Sequence, residues 1–236
     1  NMAQIPSSSS PYGEDCRACW TVPEDYRLVG IDASGLELRM LAHYLNDEGY
    51  TNEILNGDIH TANQRLADLE SRDQAKTFIY ALLYGAGDAK LGSVVGRGRA
   101  HGKGLRQRFF DNLPSFKKLT DRVQREAKSG FIKALDGRKL TVRSEHAALN
   151  TLLQGAGAIV MKKALIILDD TIRTNNWDAK FVANVHDEWQ IECHRDDAVA
   201  VGKAGVEAII QAGIELNLNC PLDGDYKVGE NWSETH

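Results

Sequence analysis

The sequence has few of the residues that mark the more unusual protein classes. Five of its 236 residues are proline and four are cysteine, which excludes a collagen-like chain and a disulfide-rich scaffold. No apolar run approaches the 18 or so residues of a membrane span, so we expect no membrane partner. No basic residue precedes Arg17, so we also expect no signal peptide. The remaining composition, 42% hydrophobic and 26% charged residues, is ordinary for a soluble globular protein.

The cysteines indicate a reducing compartment, and we expect a cytoplasmic protein. Cys16 and Cys19 form a C-x-x-C pair, but Cys193 and Cys220 do not form a second close pair. Since a zinc site of this type needs two close pairs, we interpret Cys16 and Cys19 as free, half-buried thiols, with zinc as the alternative.

The net charge of −5 conceals a strong asymmetry along the chain. Residues 72–143 contain 17 lysines and arginines against six acidic residues, while the rest of the chain contains 11 basic and 27 acidic residues. A basic segment in an acidic body is typical of a polyanion-binding region. A solvated helical face is the alternative.

The hydrophobic pattern predicts an α+β fold, with a helical middle inserted between two parts of a sheet domain. A short apolar strand ends at Asp32, and the alternating residues 181–193 predict a strand pair that turns near His186. The D-G turn at Asp136 and Gly137 predicts another hairpin. Helical patterns cover residues 36–45, 58–133 with a glycine-rich interruption at 92–104, 150–172 and 206–218, and residues 1–13 have the composition of a loop.

Two aspartates stand where predicted strands end. Asp32 follows the apolar residues 28–31, and Asp187 lies in the predicted turn of the second strand pair. A carboxylate beside an apolar face costs free energy unless it is paired or binds a cation. If both strands belong to one sheet, the two acids form an oxygen-ligand site for Mg²⁺. An ordinary turn residue is the alternative for Asp187.

The segment from Ser71 to Tyr84 predicts an amphipathic helix with two distinct faces. At about 100° per residue, two cations and two tyrosines share one stripe, and apolar residues occupy another. The cations can bind a triphosphate, and the phenol rings can stack on sugar and base. An ordinary helix with exposed cations is the alternative. The residues of the stripe are Arg72, Lys76, Tyr80 and Tyr84.

Three segments, in this order, resemble motifs A, B and C of family A DNA polymerases. They are Asp32 to Arg39, Arg72 to Gly85, and Val185 to Glu188. Residues 57–61, 149–154 and 229–236 also fit this family. Residues 1–6 and 57–61 resemble most the phage replicative branch of the family, which is related to bacterial DNA polymerase I.

The resemblance implies a polymerase palm, an antiparallel sheet with helices, built from residues 1–37 and 136–236. Residues 38–135 would form an inserted helical fingers subdomain. The thumb and exonuclease domains that precede this region in relatives are absent, and the chain starts at Asn1. We therefore expect a fragment that is weak or inactive alone and that works with a separate thumb- or exonuclease-bearing chain or a processivity factor.

The resemblance implies DNA-directed DNA synthesis, in which dNTPs extend a primer 3′-hydroxyl on primer-template DNA by a two-metal mechanism. Asp32, Asp187 and Lys76 would be catalytic. Asp32, Asp187 and the carbonyl of Ala33 would hold two Mg²⁺ ions, which Mn²⁺ can replace. A phage-encoded enzyme of this kind would act in the host cytoplasm.

The remaining implied site residues contact the nucleotide or the DNA. Glu37 would be the steric gate that crowds a 2′-hydroxyl. The tyrosine at position 80 is similar to that of family variants that tolerate dideoxynucleotides. The dNTP-binding residues would be Arg72, His60, Glu37, Tyr80 and Tyr84. The DNA-binding residues would be Gln154, Asn150, His186 and Gly85.

Three other functions remain open from the sequence. A single-subunit RNA polymerase shares the palm and the His-Asp pair, but Glu37 in the gate position argues against it. A two-metal nuclease of RNase H type also begins from a strand-borne aspartate, but it leaves the Arg72–Tyr84 stripe without a role. A non-catalytic nucleic-acid-binding module explains only the basic segment.

Overall fold

The computed structural model describes residues 2–236, and Asn1, from which the first predicted palm segment is counted, lies outside the described residues. The fold combines helices with antiparallel sheets, which confirms the α+β prediction. The helices are α1 Gly13–Ala18, α2 Leu36–Leu45, α3 Glu48–Asn56, α4 Ile59–Ala67, α5 Arg72–Leu83, α6 Asp88–Ser93, α7 Arg99–Asn112, α8 Pro114–Ala127, α9 Ala148–Thr174 and α10 Ala198–Glu215. The strands are β1 Tyr26–Ala33, β2 Phe131–Lys133, β3 Lys139–Thr141, β4 Ala179–Val185, β5 Glu188–His194 and β6 Gly224–Gly229.

The chain divides into two compact units. The first unit contains the residues up to Leu36 together with Gly157–His236, and the second contains Glu37–Ala156. The predicted fingers, residues 38–135, lie inside the second unit, which continues to Ala156. The assignment of the units as palm and fingers stays a prediction.

The first unit is built on a four-stranded antiparallel sheet with the order β4-β5-β1-β6. Its strand β1 carries the buried residues Leu28 to Ile31 and ends with Asp32 and the buried Ala33. Helix α10 packs on β1 and β6. At the contact, a β-carbon added to Gly205 would sit 2.3 Å from Cδ1 of Ile31, so glycine permits the close approach of helix and sheet.

The second unit is mainly helical, and its helices α3, α4 and α5 begin with side-chain caps. Ser71 accepts a hydrogen bond from the backbone N–H of Gln74 and so caps α5. Behind the cap, Ala75, Phe78 and Ile79 are buried, as the predicted apolar face requires. The predicted hairpin around Gly137 is also present, as the β2–β3 pair.

Several local expectations were wrong. The glycine-rich stretch interrupts the helices only between α6 and α7, because Gly102 and Gly104 lie inside α7. Helix α10 begins at Ala198 rather than near residue 206, and residues 2–4 form a 3-10 turn within the expected loop. Cys16 and Cys19 are exposed rather than half-buried, because α1 turns this face to solvent while Arg17 points inward.

The helical segment Glu145–Thr174, which contains α9, is long and apolar enough to cross a membrane by length and composition alone, although its apolar residues are not consecutive. About 44% of its most apolar window is buried inside the protein. Buried core helices of soluble proteins have the same properties. Here Leu152, Val160 and Leu168 lie along its buried face.

Candidate active site

The two aspartates that were predicted to hold metal lie at the same end of the sheet in the first unit. In the strand register, Asp32 is opposite Glu188 on β5 and opposite Asp225 on β6. The backbone N–H of Ala33 donates a hydrogen bond of 3.1 Å to the carbonyl of Asp187. This bond ties the β4–β5 turn, where Asp187 sits, to the end of β1.

Negative charge is concentrated at this end of the sheet. Partial burial, and then the neighbouring charges of Asp187, Glu188 and Asp225, raise the pKa of Asp32 to about 7, against a lowering effect of Lys227. Burial also raises the pKa of Asp187 above its ordinary value. A nearby cation would favour the charged forms of these acids.

The donor set fits Mg²⁺ better than a metal with an all-protein cage. Within residues 2–236, no group of three or more His, Cys, Asp or Glu side chains is arranged to hold a metal ion by itself. Magnesium commonly takes one or two carboxylates together with water and substrate phosphates. Asp32 and Asp187 meet that need, and Asp32 lines two cavities of about 290 and 300 Å³ that have room for such ligands.

A third acid, Glu188, is held by the C-terminal segment, and sequence reasoning missed this arrangement. The Glu188 side chain is only 5% exposed. It accepts a 2.8 Å hydrogen bond from Trp232 Nε1, another from the amide of Gln190, and pairs with the His236 ring. Thr235 in turn donates to Gln190. In the sequence, the only sign of this arrangement is that residues 229–236 fit the family, and that fit does not say which residues they contact.

The second unit carries the cation and tyrosine stripe of α5. Arg72 and Lys76 are exposed on this helix. Arg72 Nε lies 2.6 Å from Asp58 Oδ2, and Asp58 also caps α4 by accepting from the backbone N–H groups of His60 and Thr61. The ion pair therefore joins the start of α4 to the start of α5.

His60 lies beside the same stripe. Partial burial, then the positive charges of Arg72 and Lys76, lower the pKa of His60. Its Nδ1 atom is buried without a hydrogen-bond partner among the described residues. Its ring centroid is 6.2 Å from that of Tyr80, and the Tyr80 ring stacks on Tyr84 with 6.4 Å between centroids. Two cations, an imidazole and two phenols thus lie near one another in the second unit.

Glu37 is bound by two residues that were predicted to touch nucleotide or DNA. The Tyr84 hydroxyl donates to one Glu37 oxygen at 3.1 Å, and Gln154 Nε2 donates to the other at 3.3 Å. Gly85, next to Tyr84, has a φ of +76°, and a β-carbon there would lie 2.5 Å from the carbonyl of His146. Only glycine satisfies both conditions.

The other two predicted DNA contacts are in different units. Asn150, in the second unit, is half-buried and has a buried Oδ1 without a hydrogen-bond partner among residues 2–236. His186, in the first unit, is exposed in the β4–β5 turn with a φ of +56°. The predicted residues therefore form one cluster in each unit. Asp32, Ala33, His186 and Asp187 are in the first, and Glu37, His60, Arg72, Lys76, Tyr80, Tyr84, Gly85, Asn150 and Gln154 are in the second.

The protein thus combines an antiparallel sheet that has two aspartates at one end with a helical unit that carries a stripe of cations and tyrosines. The family model of DNA polymerase family A matches residues 1–234. The chain belongs to DNA polymerase family A.

Relatives of known name come from phages and bacteria. The chain is 44% identical, over 269 aligned positions, to a DNA-directed DNA polymerase of Enterobacteria phage T3, covering 100% of this chain and 38% of the relative. The same identity and coverage hold for the DNA-directed DNA polymerase of Escherichia phage T7. DNA polymerase I of Pseudomonas aeruginosa is 28% identical, over 100% of this chain and 28% of its own length. The chain thus spans well under half of these relatives.

A solved structure has the same fold. The POL domain of Pol1 from M. smegmatis, solved in complex with DNA primer-template and dNTP, superimposes with a TM-score of 0.89. It is 24% identical, and the match covers 99% of this chain and 45% of that chain. This likeness concerns the fold alone, and it agrees with the α+β prediction.

Proposed function

We propose that this chain carries out template-directed DNA synthesis, transferring deoxynucleotides from dNTPs to a primer 3′-hydroxyl. The observation that carries the proposal is the pair Asp32 and Asp187 at one end of a sheet, in a chain that belongs to DNA polymerase family A. The phage relatives are named DNA-directed DNA polymerases. Their names support this reaction over RNA synthesis.

Asp32 and Asp187, with the carbonyl of Ala33, are proposed to hold two Mg²⁺ ions, or Mn²⁺ in their place. Bound there, the ions would lower the pKa of the primer hydroxyl and neutralise charge that develops on the phosphates. The raised pKa of Asp32 supports this role, because a cation restores the ionised form that its acidic neighbours disfavour.

Arg72, Lys76 and His60 are proposed to bind the dNTP triphosphate. The planar guanidinium of Arg72 can make a bidentate contact with a phosphate. On binding the dNTP, Arg72 would leave its ion pair with Asp58. Lys76, one turn further along α5, would donate a proton to the departing pyrophosphate. His60 can bind phosphate without a charge, since its pKa is lowered and its imidazole N–H can still donate.

Glu37 and Tyr80 are proposed to select the sugar, with Tyr84 supporting Glu37. With Tyr84 and Gln154 bonded to its carboxylate, Glu37 has a defined position from which to crowd a 2′-hydroxyl. The hydroxyl of Tyr80 can replace the hydrogen bond that a missing 3′-hydroxyl would have made, so dideoxynucleotides should be accepted. Tyr84 is proposed to stack at the template position.

Primer-template DNA is the proposed macromolecular partner. His186 would contact the primer strand, Gln154 and Asn150 the minor groove, and Gly85 the template. Minor-groove acceptors are common to all correct base pairs, so such contacts report geometry without reading sequence. The need for a separate thumb-bearing chain or processivity factor, and action in the host cytoplasm, stay predictions.

Primer extension with Mg²⁺ and dNTPs tests the proposal, with the chain alone and with added thumb-bearing fragment. Asp32→Ala and Asp187→Ala should each lower the rate by about four orders of magnitude or more, because phosphoryl transfer relies on positioning and charge neutralisation. Asp196→Asn, which changes an exposed aspartate of the same unit, is the matched control and should keep the wild-type rate.

The same assay separates the rival functions. Preferential incorporation of ribonucleotides would indicate an RNA polymerase. Degradation of DNA without added nucleotides would indicate a nuclease. Unchanged activity in Asp187→Ala would leave a non-catalytic binding module, because such a module has no use for the metal ligands.

A further inference from the structure

Two exposed thiols lie one helical turn apart on α1. Cys16 and Cys19 are both exposed, and Cys19 continues the right-handed helical backbone with φ −69° and ψ −15°. In helical geometry, positions i and i+3 have α-carbons about 5 Å apart. Disulfide-bonded cysteines usually have α-carbons roughly 4.4–6.8 Å apart. The backbone of α1 therefore places the two α-carbons within the range found in disulfides, and closure needs only a further approach of the β-carbons.

The other two cysteines are protected from the same chemistry. Cys193 and Cys220 are buried, and burial raises the pKa of the Cys193 thiol to about 12. Since the thiolate is the reactive species, Cys193 stays inert at neutral pH. The exposed thiols of the chain are thus those of α1 and its C-cap.

A structural metal centre does not explain the pair. Structural zinc takes four ligands, and no group of three or more His, Cys, Asp or Glu side chains in residues 2–236 is arranged to hold a metal.

We propose that Cys16 and Cys19 form a reversible modification site that closes into a disulfide by exchange with a small disulfide such as oxidised glutathione. One thiolate attacks the oxidant, forming a mixed disulfide and releasing one small thiol. The second thiolate attacks the protein sulfur of that mixed disulfide and releases the other small thiol. The protein dithiol loses two electrons and two protons, and the oxidant takes up both as two reduced thiols.

Closure of this disulfide affects a buried contact, because Arg17 lies between the two cysteines. Arg17 is 5% exposed, its guanidinium lies 4.3 Å from the centroid of the Trp232 ring, and its Nε donates to the carbonyl of Pro6 at 2.9 Å. Trp232 in turn donates to Glu188. A disulfide needs β-carbons about 3.8 Å apart, closer than the roughly 5–6 Å of a helical i, i+3 pair, so the backbone that carries Arg17 must shift.

The test is intact-mass spectrometry of the chain after incubation with oxidised glutathione, followed by peptide mapping. The wild-type protein should lose the mass of two hydrogens, retain no glutathione and regain its mass with dithiothreitol. Cys16→Ser and Cys19→Ser should each keep one glutathione adduct, because no second thiol displaces it. Cys193→Ala, which removes a buried thiol, should behave as the wild type.

Three outcomes would overturn the proposal: a stable adduct on the wild type, disulfide-linked dimers in place of the internal disulfide, or an unmodified wild-type chain under conditions that oxidise a small dithiol. Hydrogen exchange adds a second readout on the same samples. Oxidation should speed exchange in residues 231–236, and an unchanged segment would overturn the link through Arg17. Neither measurement depends on polymerase activity, so failure here is distinguishable from failure of the proposed function.

Discussion

Glu37 illustrates how much of a residue's behaviour comes from its neighbours. Its two carboxylate oxygens accept hydrogen bonds from the Tyr84 hydroxyl and the Gln154 amide. Such bonds restrict the rotamers of the Glu37 side chain. The family resemblance implied separate roles for these three residues, and the structure adds that they are bonded to one another.

Tyr84→Phe should weaken the selection against ribonucleotides. The change removes the donor to Glu37 and keeps the aromatic ring. Loss of a hydrogen bond worth about 1 kcal/mol should raise ribonucleotide use relative to deoxynucleotide use by about fivefold. The measurement is the ratio of kcat/KM for a dNTP and the matching rNTP in primer extension.

The control for this experiment is Tyr12→Phe, which removes the hydroxyl of a tyrosine that is 78% exposed and should leave the ratio unchanged. If Glu37→Ala relaxes sugar selection while Tyr84→Phe does not, the gate works without the Tyr84 bond and the prediction is wrong.

Among single residues, the candidate metal ligands could be predicted from the sequence, but the hydrogen bonds that hold the neighbouring acid in place could not. Asp32 and Asp187 each follow an apolar strand pattern, which is a local signal. Glu188 is bound by Trp232 and His236, which lie 44 and 48 residues further along the chain. A hydrogen bond over that separation depends on where the C-terminal segment packs, and no periodicity encodes it.

At the scale of elements, helices α6 and α7 pack closely because of one glycine. A β-carbon on Gly102 would lie 1.9 Å from the carbonyl oxygen of Asp88 and 2.5 Å from the backbone nitrogen of Gly92. Gly104, two residues later in the same helix, has nothing within 4 Å of such a β-carbon. Gly102 and Gly104 have the same intrinsic helix propensity, but Gly102 is packed against backbone atoms and Gly104 has open space around it.

Gly102→Ala and Gly104→Ala should therefore change stability in opposite directions. Gly104→Ala should stabilise the protein by about 0.5–1 kcal/mol, since alanine is the better helix former. Gly102→Ala should destabilise it by about 2 kcal/mol or more, because the backbone of α6 must move away. Urea unfolding of both variants gives the free energies directly. A shift of the same sign in both would show that helix propensity alone governs α7.

The junction of α4 and α5 should make part of the stability depend on pH. The Arg72 guanidinium holds the pKa of Asp58 below its usual value, with further help from Thr61 and the α4 N-terminus. A depressed folded-state pKa means that the charged form is favoured by folding. Its contribution is present above about pH 4 and is lost as the pH falls further.

Asp58→Asn tests that dependence, because asparagine can still cap α4 but cannot pair with Arg72. The urea midpoint of the variant should lie below that of the wild type at pH 7, and the gap should close toward pH 3. Asp73→Asn, in the first turn of α5, is the control and should show no such closing gap. A gap that is independent of pH would contradict the prediction.

Elements with a local signal were predicted correctly, and those that depend on packing were not. The faces of α5, the turn at Gly137 and the β4–β5 hairpin follow from periodicity and turn chemistry. The start of α7 at Arg99 was missed, because glycine disfavours helix in isolation and the contact with α6 overrides that preference.

For the whole molecule, the distribution of charge matters more than its sum. The net charge of −5 opposes binding to a polyanion, yet residues 72–143 carry a large excess of lysine and arginine. Those residues lie within the mainly helical second unit. The acids of the metal-ligand candidates belong to the first unit. Opposite charges thus accumulate on the parts of the chain that are proposed to bind phosphates and cations.

Binding to primer-template DNA should accordingly weaken with salt, and the basic segment should set the slope. A triple variant carries the substitutions Arg97→Gln, Arg99→Gln and Lys103→Gln. The slope of its log association constant against log salt concentration should be shallower by about 0.9 for each DNA phosphate that it no longer neutralises. Fluorescence anisotropy over a salt series measures it. The matched triple variant Lys162→Gln, Lys180→Gln, Lys203→Gln changes three exposed lysines of the first unit. An equal change of slope in both triple variants would mean that net charge, and not the basic segment, governs binding.

The sequence by itself determined the two aspartate-bearing strand ends, the two faces of α5, the hairpin at Gly137, the motif residues and the α+β class, because helical and strand periodicities and turn chemistry act over a few neighbouring positions. The tertiary structure alone decided that Asp187 meets the end of β1, that the C-terminal segment holds Glu188, and that Tyr84 and Gln154 bind Glu37. Those contacts join residues that are 44 or more positions apart. They depend on strand register and side-chain packing, which no local pattern contains.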